Sequence, residues 1–424
     1  MEILVLGSGA REHALAWRLA RDEGGHRIRI APGNGGTPAV AETVPDLDVL
    51  DPVEVARHAS RERYDLVVIG PEAPLAAGVG DALSQAGIAA FGPTRAAARL
   101  EWSKAYAKEQ LRRAGVPTAA SRTFSEADAA VAYLRAQERP PVVKGDWLAA
   151  GKGVVVADTH DEAADAVRCL LDGAAPGASL VLEERLEGRE VSAFALVCDQ
   201  AVMPLAAARD YKRLGDGDTG PNTGGMGSYA PVPWFGRAEV EAAAESIFEP
   251  IAWRMARDGT PYRGVLYAGL MLTAAGPMVL EFNARFGDPE AQVLMPLLDG
   301  DLAAALYGVA TGDRAAMDGS VATGDRVAVG VVLASEGYPD APVGGRPLLG
   351  ADPSTPDDAG PVLCFHAGAR SGRAGLETSG GRVVTFVGIG SDHDVARARA
   401  YEALDGATLA GGQYRSDIGA ERSA

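Results

Sequence analysis

The segment "LEFNARFGDPE", Leu280 to Glu290, sets a carboxylate and an amide two residues apart. On a strand, Glu281 and Asn283 then point to one face. Together their oxygens make a hard site suited to Mg2+ in contact with polyphosphate oxygens. Arg285 continues toward the same pocket, and a guanidinium can grip phosphate bidentately. A plain strand-end salt bridge is the alternative reading.

A second segment, "GDGDTGPNTGGMGSYAP" from Gly215 to Pro231, has glycines at 224, 225 and 227. Their backbone N–H groups can cradle an anion. Just upstream, "RDYKR" offers Asp210, Lys212 and Arg213. The segment has few apolar side chains, so core packing does not explain it. Pro221, Asn222 and Thr223 stiffen it against reading as a flexible linker. Lys144 ends a predicted strand and Lys104 starts a predicted helix. Either alone is more often a solvated surface lysine. Glu183 and Glu184 close another strand, with Glu190 beyond; an exposed charge cluster is the alternative there.

Two motifs fail on inspection. "VVKGDWLAAGKGVVVA" suggests a Walker loop, but G-x-x-x-x-G-K-[ST] needs glycine where Asp146 stands and a hydroxyl where Gly153 stands. A strand also follows it, not a helix. "GSGARE" falls short of the dinucleotide fingerprint, because Glu12 replaces the third glycine and "RIAPGN" ends without a ribose-binding acid. The Gly7–Gly9 turn still sets a helix N-terminus where a phosphate would suit it. A simple strand-to-helix turn is the other reading.

The elements that must position these residues follow from the pattern. The first hundred residues alternate buried strands ("EILVLG", "RIRIA", "DLVVIG", "GIAAFG") with amphipathic helices, including Pro52–Arg63 and Pro74–Ala86. That alternation predicts a doubly wound parallel sheet, with ligands at the carboxyl ends of its strands. Further helices are expected at "SKAYAKEQLRRAG", closed by Gly115, and at "SEADAAVAYLRAQE", capped by Ser125. A small α+β lobe follows, with one helix from Asp161 to Leu171. Residues 209–236 read as loop, then a helix runs from Arg237 to about Asp258. "VLYAGLML" and "PMVLEFN" make a hairpin across "TAAG". The remainder is β-rich, with a last helix near His393–Leu404.

Bulk properties narrow the function. The 424 residues carry a formal net charge of −17, which disfavours a nucleic-acid surface. Three scattered cysteines and six scattered histidines offer neither a disulfide frame nor a zinc cluster. No apolar run approaches the ~20 residues of a membrane span. The start lacks signal-peptide character, so a cytoplasmic location is expected.

The order of parts resembles the ATP-grasp fold and, within it, the phosphoribosylamine–glycine ligase (glycinamide ribonucleotide synthetase) family. The resemblance runs through "VLGSGAREHALAW", "APGN", "VIGPEAPLAAGV", "FGP", "SKAYAKEQL", "LAAGKGVVVA", "DTGPNTGGMGSYAP" and "EFNARFGDPEAQ" to "GRVVTFVGIG", nearly the whole chain. It implies an N-terminal α/β domain (1–102), an ATP-grasp domain of two lobes (103–320, small lobe about 118–192) and a β-rich C-terminal domain (321–424). It implies ATP and Mg2+, with Mn2+ as the alternative ion, and the substrates glycine and 5-phosphoribosylamine. The products would be glycinamide ribonucleotide, ADP and phosphate, through glycyl phosphate, in purine biosynthesis. No nucleic-acid or membrane partner is expected, and the chain is expected to be a monomer.

Laid on this sequence, the resemblance puts Lys104, Lys144 and Lys152 at the ATP phosphates. Glu183, Glu184 and Leu186 would lie at adenine, Glu190 at the ribose, and Glu281 and Asn283 at the metal. Arg285, Asp210 and Lys212 would serve the chemistry. Gly9, Glu72, Thr223, Gly224, Gly225, Met226 and Asp288 would line the substrate side. Trp102 and Trp147 stand where that family usually has glycine, and "VLYAGLML" lacks the carboxylate that grasp folds commonly carry there. The alternatives are another carboxylate–amine pair, or a nucleotide-binding protein whose catalysis is lost and whose cleft the two indoles block.

Overall fold

The computed structural model describes residues 1–148, 153–357, 360–373 and 375–420. In its first sheet, β1 (Glu2–Gly7), β2 (Arg27–Pro32), β3 (Glu42–Thr43), β4 (Leu66–Ile69) and β5 (Ala89–Phe91) run parallel in the order β3-β2-β1-β4-β5. β1 and β4 are apolar and almost wholly buried, as strands covered on both faces must be.

Local chemistry sets the helix ends. Gly7, at φ 132°, turns the chain from β1 into α1 (Ala10–Ala20). The Glu12 carboxylate accepts the Gly9 N–H at 2.7 Å, so the residue that spoils the dinucleotide fingerprint caps this helix instead. Asp51 caps α2 (Pro52–Glu62) by accepting from Val53 and Glu54. The helix expected over Pro74–Ala86 starts earlier and is broken. α3 (Glu72–Ala77) ends at Gly78, whose φ of 95° no side-chain residue adopts cheaply, and α4 (Val79–Gln85) restarts there. After α5 (Arg99–Trp102), Ser103 caps α6 (Lys104–Ala114), which Gly115 closes.

The small lobe is an antiparallel sheet of β6 (Ser121–Phe124), β7 (Val142–Gly145), β8 (Val154–Val156) and β9 (Leu180–Glu183), in the order β6-β9-β7-β8. α7 (Ala127–Arg135) and α8 (His160–Asp172) cover it around its own core of Phe124, Leu134, Val143, Val167 and Leu182. Ser125 does not cap α7. Glu126 is the N-cap residue and makes no side-chain cap bond.

The large lobe is the sheet β11-β10-β16-β17, formed by β10 (Arg189–Asp199), β11 (Ala201–Pro204), β16 (Tyr262–Thr273) and β17 (Gly276–Asn283). Between β11 and β16, residues 209–236 are not the loop expected. They hold β12 (Arg209–Asp210), β13 (Arg213–Gly215), β14 (Thr219–Asn222) and β15 (Gly227–Ala230). Strands this short and glycine-rich carry too few side chains to show a period of two. β12 and β15 join Val327–Ala334, Arg382–Gly390 and Val362–His366 in a fourth sheet, so middle and C-terminal segments share strands. The helix after 236 is continuous in path but passes through a π turn, Ala244–Phe248. Pro250 has no N–H to bond the carbonyl four residues back, which favours such a wide turn.

Buried polar bonds lock α1 to the rest. Arg18 pairs with Asp22 and donates to the carbonyls of Leu298 (3.1 Å) and Gly300 (2.6 Å). His13 Nδ1 accepts the His366 N–H at 3.0 Å, and both rings are fully buried. Burial pushes His13 down to about 3, with His366 adding to the effect, and pushes His366 down to about 4. The native state keeps both neutral, while the unfolded chain protonates them near pH 6.5. Their contribution is therefore present above that pH and lost as pH falls toward 4 and 3. We expect the unfolding free energy, measured in urea, to drop by about 2 kcal/mol per histidine between pH 7 and pH 5. His366→Gln should flatten that slope; an unchanged slope would contradict the assignment.

Candidate active site

A cleft of about 1040 Å³ opens where the three parts meet. Its walls are α5 and α6, the small-lobe strands β7 to β9, the large-lobe strand β17, and the turns around β12 to β14.

Cations reach into it from both lobes. Lys104, at the first turn of α6, donates to the carbonyls of Gly145 (2.9 Å) and Trp147 (3.4 Å). Burial pulls its ammonium below the ordinary value, with Glu281 opposing and Lys144 adding. Lys144, on β7, meets Glu183 at 2.9 Å and the Leu280 carbonyl at 3.2 Å. Lys108, one turn after Lys104, meets the same Glu183 at 3.1 Å and donates to Thr118 at 2.6 Å. Glu183 is thus a buried carboxylate between two lysines. Lys212 meets Glu190 at 3.0 Å. Its burial favours the neutral amine, but Asp210 and Glu190 outweigh that and hold it above its ordinary value.

Glu281 lies among these groups. Burial works against its charge, yet Lys212, Lys144, Lys104 and Arg285 keep its carboxyl below the usual range. Among the described residues it has no ion-pair partner within 4 Å. Asn283 follows on the same face of β17 and accepts from Arg285 at 3.1 Å. An anionic carboxylate and an amide oxygen with a lone pair to spare fit a hard divalent cation.

Arg285 is clamped by Glu101 at 2.9 Å and approached by Glu72 at 3.4 Å. Glu101 also accepts the Ala284 N–H at 2.8 Å, which fixes the turn after β17. Burial pushes Asp210 up to about 7, with Lys212 opposing and Glu290 adding. Asp288 faces Arg382 at 3.3 Å and accepts from Gln292 at 2.7 Å. Burial opposes its charge, but Arg382 and Arg11 bring its carboxyl below the usual range.

The structure brings together most of the residues singled out in the sequence. Lys104, Lys144, Glu183, Glu184, Leu186, Glu190, Asp210, Lys212, Glu281, Asn283, Arg285, Glu72, Thr223, Gly224 and Asp288 all line the cleft. Met226 does not. Its side chain is fully buried, its N–H bonds the Tyr211 carbonyl and its carbonyl accepts from Val332, so it belongs to the sheet. Gly225 also lies behind the wall, packed on Pro289 at φ 109°, with its N–H given to Thr223. Gly9 approaches Asp288, but its N–H is already taken by Glu12. Lys152 lies outside the described residues.

The indoles divide. Trp147 lines the cleft over Gly145, whereas Trp102 packs on the core beneath Arg99 and does not line it. Sequence reasoning missed Lys108, Glu101, Asp146 and Arg382. Lys108 was legible, being four residues from Lys104 on one helix face. Asp146 ties α6 to β9's approach, accepting from the Ala105 N–H (3.0 Å) and the Ser179 hydroxyl (3.2 Å). Arg382 bonds the carbonyls of Gly224 and Asp288 from far along the chain, and no local pattern marks it.

Two antiparallel lobes gripping a lysine-rich cleft, with hard oxygen donors on the large-lobe strand, define an ATP-grasp ligase. Family models agree along the chain. Residues 1–101, 102–291 and 328–421 match the N domain, the ATP-grasp (A) domain and the C domain of phosphoribosylglycinamide synthetase. The chain belongs to the phosphoribosylglycinamide synthetase family. It is 45% identical over 421 residues to the phosphoribosylamine–glycine ligase of Rhizobium meliloti, covering 99% of this chain and 98% of that one. The crystal structure of the Thermotoga maritima phosphoribosylamine–glycine ligase superposes with a TM-score of 0.83 at 33% identity, covering 99% of this chain and 100% of that one. The biotin carboxylase domain of Hydrogenobacter thermophilus 2-oxoglutarate carboxylase, solved with MgADP and bicarbonate, shares the fold at a TM-score of 0.69 and 15% identity, covering 97% and 91%.

Replacing Glu183 by alanine strands two buried ammonium groups. We expect a loss of about 3–5 kcal/mol in urea unfolding. A loss under about 1 kcal/mol would mean that the Lys108–Glu183–Lys144 cluster is not buried as described.

Proposed function

We propose that this chain joins glycine to 5-phosphoribosylamine at the expense of ATP, giving glycinamide ribonucleotide, ADP and phosphate. The observation that carries the reading is the convergence of Lys104, Lys144, Lys212 and Arg285 on Glu281 in one open cleft. The choice of substrates rests on the full-length relatives.

A carboxylate is a poor electrophile, because amine attack would have to expel oxide. A glycine carboxylate oxygen therefore attacks the γ-phosphorus, the bond to the β-phosphate bridge breaks, and ADP leaves. The amine of phosphoribosylamine attacks the carbonyl carbon of the resulting glycyl phosphate. The carbon–oxygen bond to phosphate breaks, and the amide forms. Such transfers need mainly positioning and charge neutralisation.

Lys104 and Lys144 would neutralise the ATP phosphates from the two lobes, with Lys152 adding charge. The backbone of Glu183, Glu184 and Leu186 would meet adenine, and Glu190 the ribose hydroxyls. Glu281 and Asn283 would hold Mg2+ or Mn2+, which when bound screens the polyphosphate charge. Arg285, fixed by Glu101, would face the negative charge that develops on the transferred phosphoryl group. Asp210, raised to about 7 by burial, would take the proton that the attacking amine sheds, with Lys212 beside it. Glu72, Thr223, Gly224, Asp288 and the Gly9 turn would border the glycine and phosphoribosyl groups. Trp102 does not enter the cleft, so nothing supports the reading in which the two indoles block it.

The test is a coupled ADP-release assay with each substrate omitted in turn. ADP should appear only with both glycine and phosphoribosylamine present. Lys144→Ala and Glu281→Ala should each lower kcat by about 10²-fold or more. Full turnover with another acid and none with glycine would sink the proposal.

A further inference from the structure

The β13–β14 hairpin borders the cleft through Arg213, Asp218 and Asn222, and it is flanked by Asp210, Lys212 and Thr223. A two-stranded hairpin is marginal by itself in water. Residues 217–221 of this one are exposed, and it pairs with no third strand among the described residues. Something else must hold it.

The holder is a segment some 200 residues further along. Arg415 is 1% exposed. Its Nε and Nη2 donate to the two oxygens of Asp417 at 2.7 and 2.6 Å. Its Nη1 donates to Asp218 at 2.7 Å and to the Arg213 carbonyl at 3.1 Å. The guanidinium lies 4.7 Å from the centre of the Tyr211 ring. Around it, Tyr211 accepts the Gly419 N–H at 3.0 Å, Asp417 accepts the Gly217 N–H at 2.9 Å, and Asp216 accepts the Ser416 N–H at 2.8 Å and its hydroxyl. The segment itself is anchored from behind, where Arg397 and Tyr401 of the helix His393–Asp405 bond the carbonyls of Ser416, Ile418 and Arg415. Gly217 and Asp218, at φ 65° and 56°, turn the hairpin in the left-handed region that glycine and aspartate favour in such turns.

We propose that Arg415 is a positioning residue for the ligation. It never enters the cleft, but through Tyr211, Asp218 and the hairpin it fixes where Asp210 and Lys212 stand. A buried guanidinium is tolerable only with its donors satisfied, and here the partners that satisfy it are the hairpin and its neighbours. The inference rests on the ligase reading above, and it predicts a defect that falls on kcat more than on KM for ATP.

The experiment compares wild type with Arg415→Met, Arg415→Lys and Asp216→Ala, with folded fraction set by circular dichroism and thermal melting. Per folded molecule, Arg415→Met should lose at least ten-fold in kcat while KM for ATP changes less than two-fold, and Arg415→Lys should recover part of the loss. Asp216→Ala, at the hairpin tip, should retain the wild-type melting temperature and lose two- to five-fold in kcat. Unchanged kcat and KM in folded Arg415→Met would overturn the proposal, as would a loss wholly explained by unfolding. If Arg415→Met does not fold, a wild-type kcat in Asp216→Ala overturns it. If wild type shows no glycine-dependent turnover, the ligase reading fails instead. Amide exchange then decides the positioning role: residues 210–223 should exchange at least ten-fold faster in Asp216→Ala, and equal exchange overturns it.

Discussion

The constraint on which this molecule turns is the charge balance around Glu281. A carboxylate withdrawn from water is costly unless cations surround it, and lysines withdrawn from water are costly unless carboxylates surround them. Here each solves the other's problem. Lys104 comes from α6, Lys144 from the small lobe, Lys212 from the turn after β12, and Arg285 from the end of β17. No single element can supply that set, so the two lobes must face each other across the cleft. Groups whose charges are balanced by several partners are also well placed to exchange them for phosphate oxygens when a nucleotide enters.

The rest of the structure reads as support for that cluster. Glu101 and Glu72 orient Arg285, Glu190 faces Lys212, and Asp146 ties the end of β7 to α6. The N-terminal sheet brings the Gly9 turn up to Asp288, and the bonds from His13, Arg18 and Asn34 fix that sheet against the later domains. Arg382 and Arg415 extend the same logic from the C-terminal part, gripping the backbone at Gly224 and Arg213.

What could be read from the sequence was what is local. The parallel sheet followed from buried strands alternating with helices, and the shared face of Glu281 and Asn283 followed from strand geometry. Lys104 and Lys144 were visible because one begins a helix and the other stands near the end of a strand. What escaped depends on contacts between distant segments. Residues 209–236 looked like loop because their strands are too short and glycine-rich to show a period of two, and one of them, β15, finds its further partner about a hundred residues away. Met226 looked like part of an anion cradle until its backbone proved committed to the sheet on both sides. Glu101 and Arg382 carry no local signature, since their partners lie between roughly 90 and 180 residues off, and nothing beside Arg415 marks its reach to Asp218, about 200 residues back.

The central claim is that this charge cluster serves transfer of a phosphoryl group to glycine's carboxylate. The most direct measurement uses glycine labelled with 18O in both carboxylate oxygens. Glycyl phosphate formation predicts one labelled oxygen in each phosphate released and one in each amide formed. Unlabelled phosphate, with turnover otherwise normal, would contradict the account.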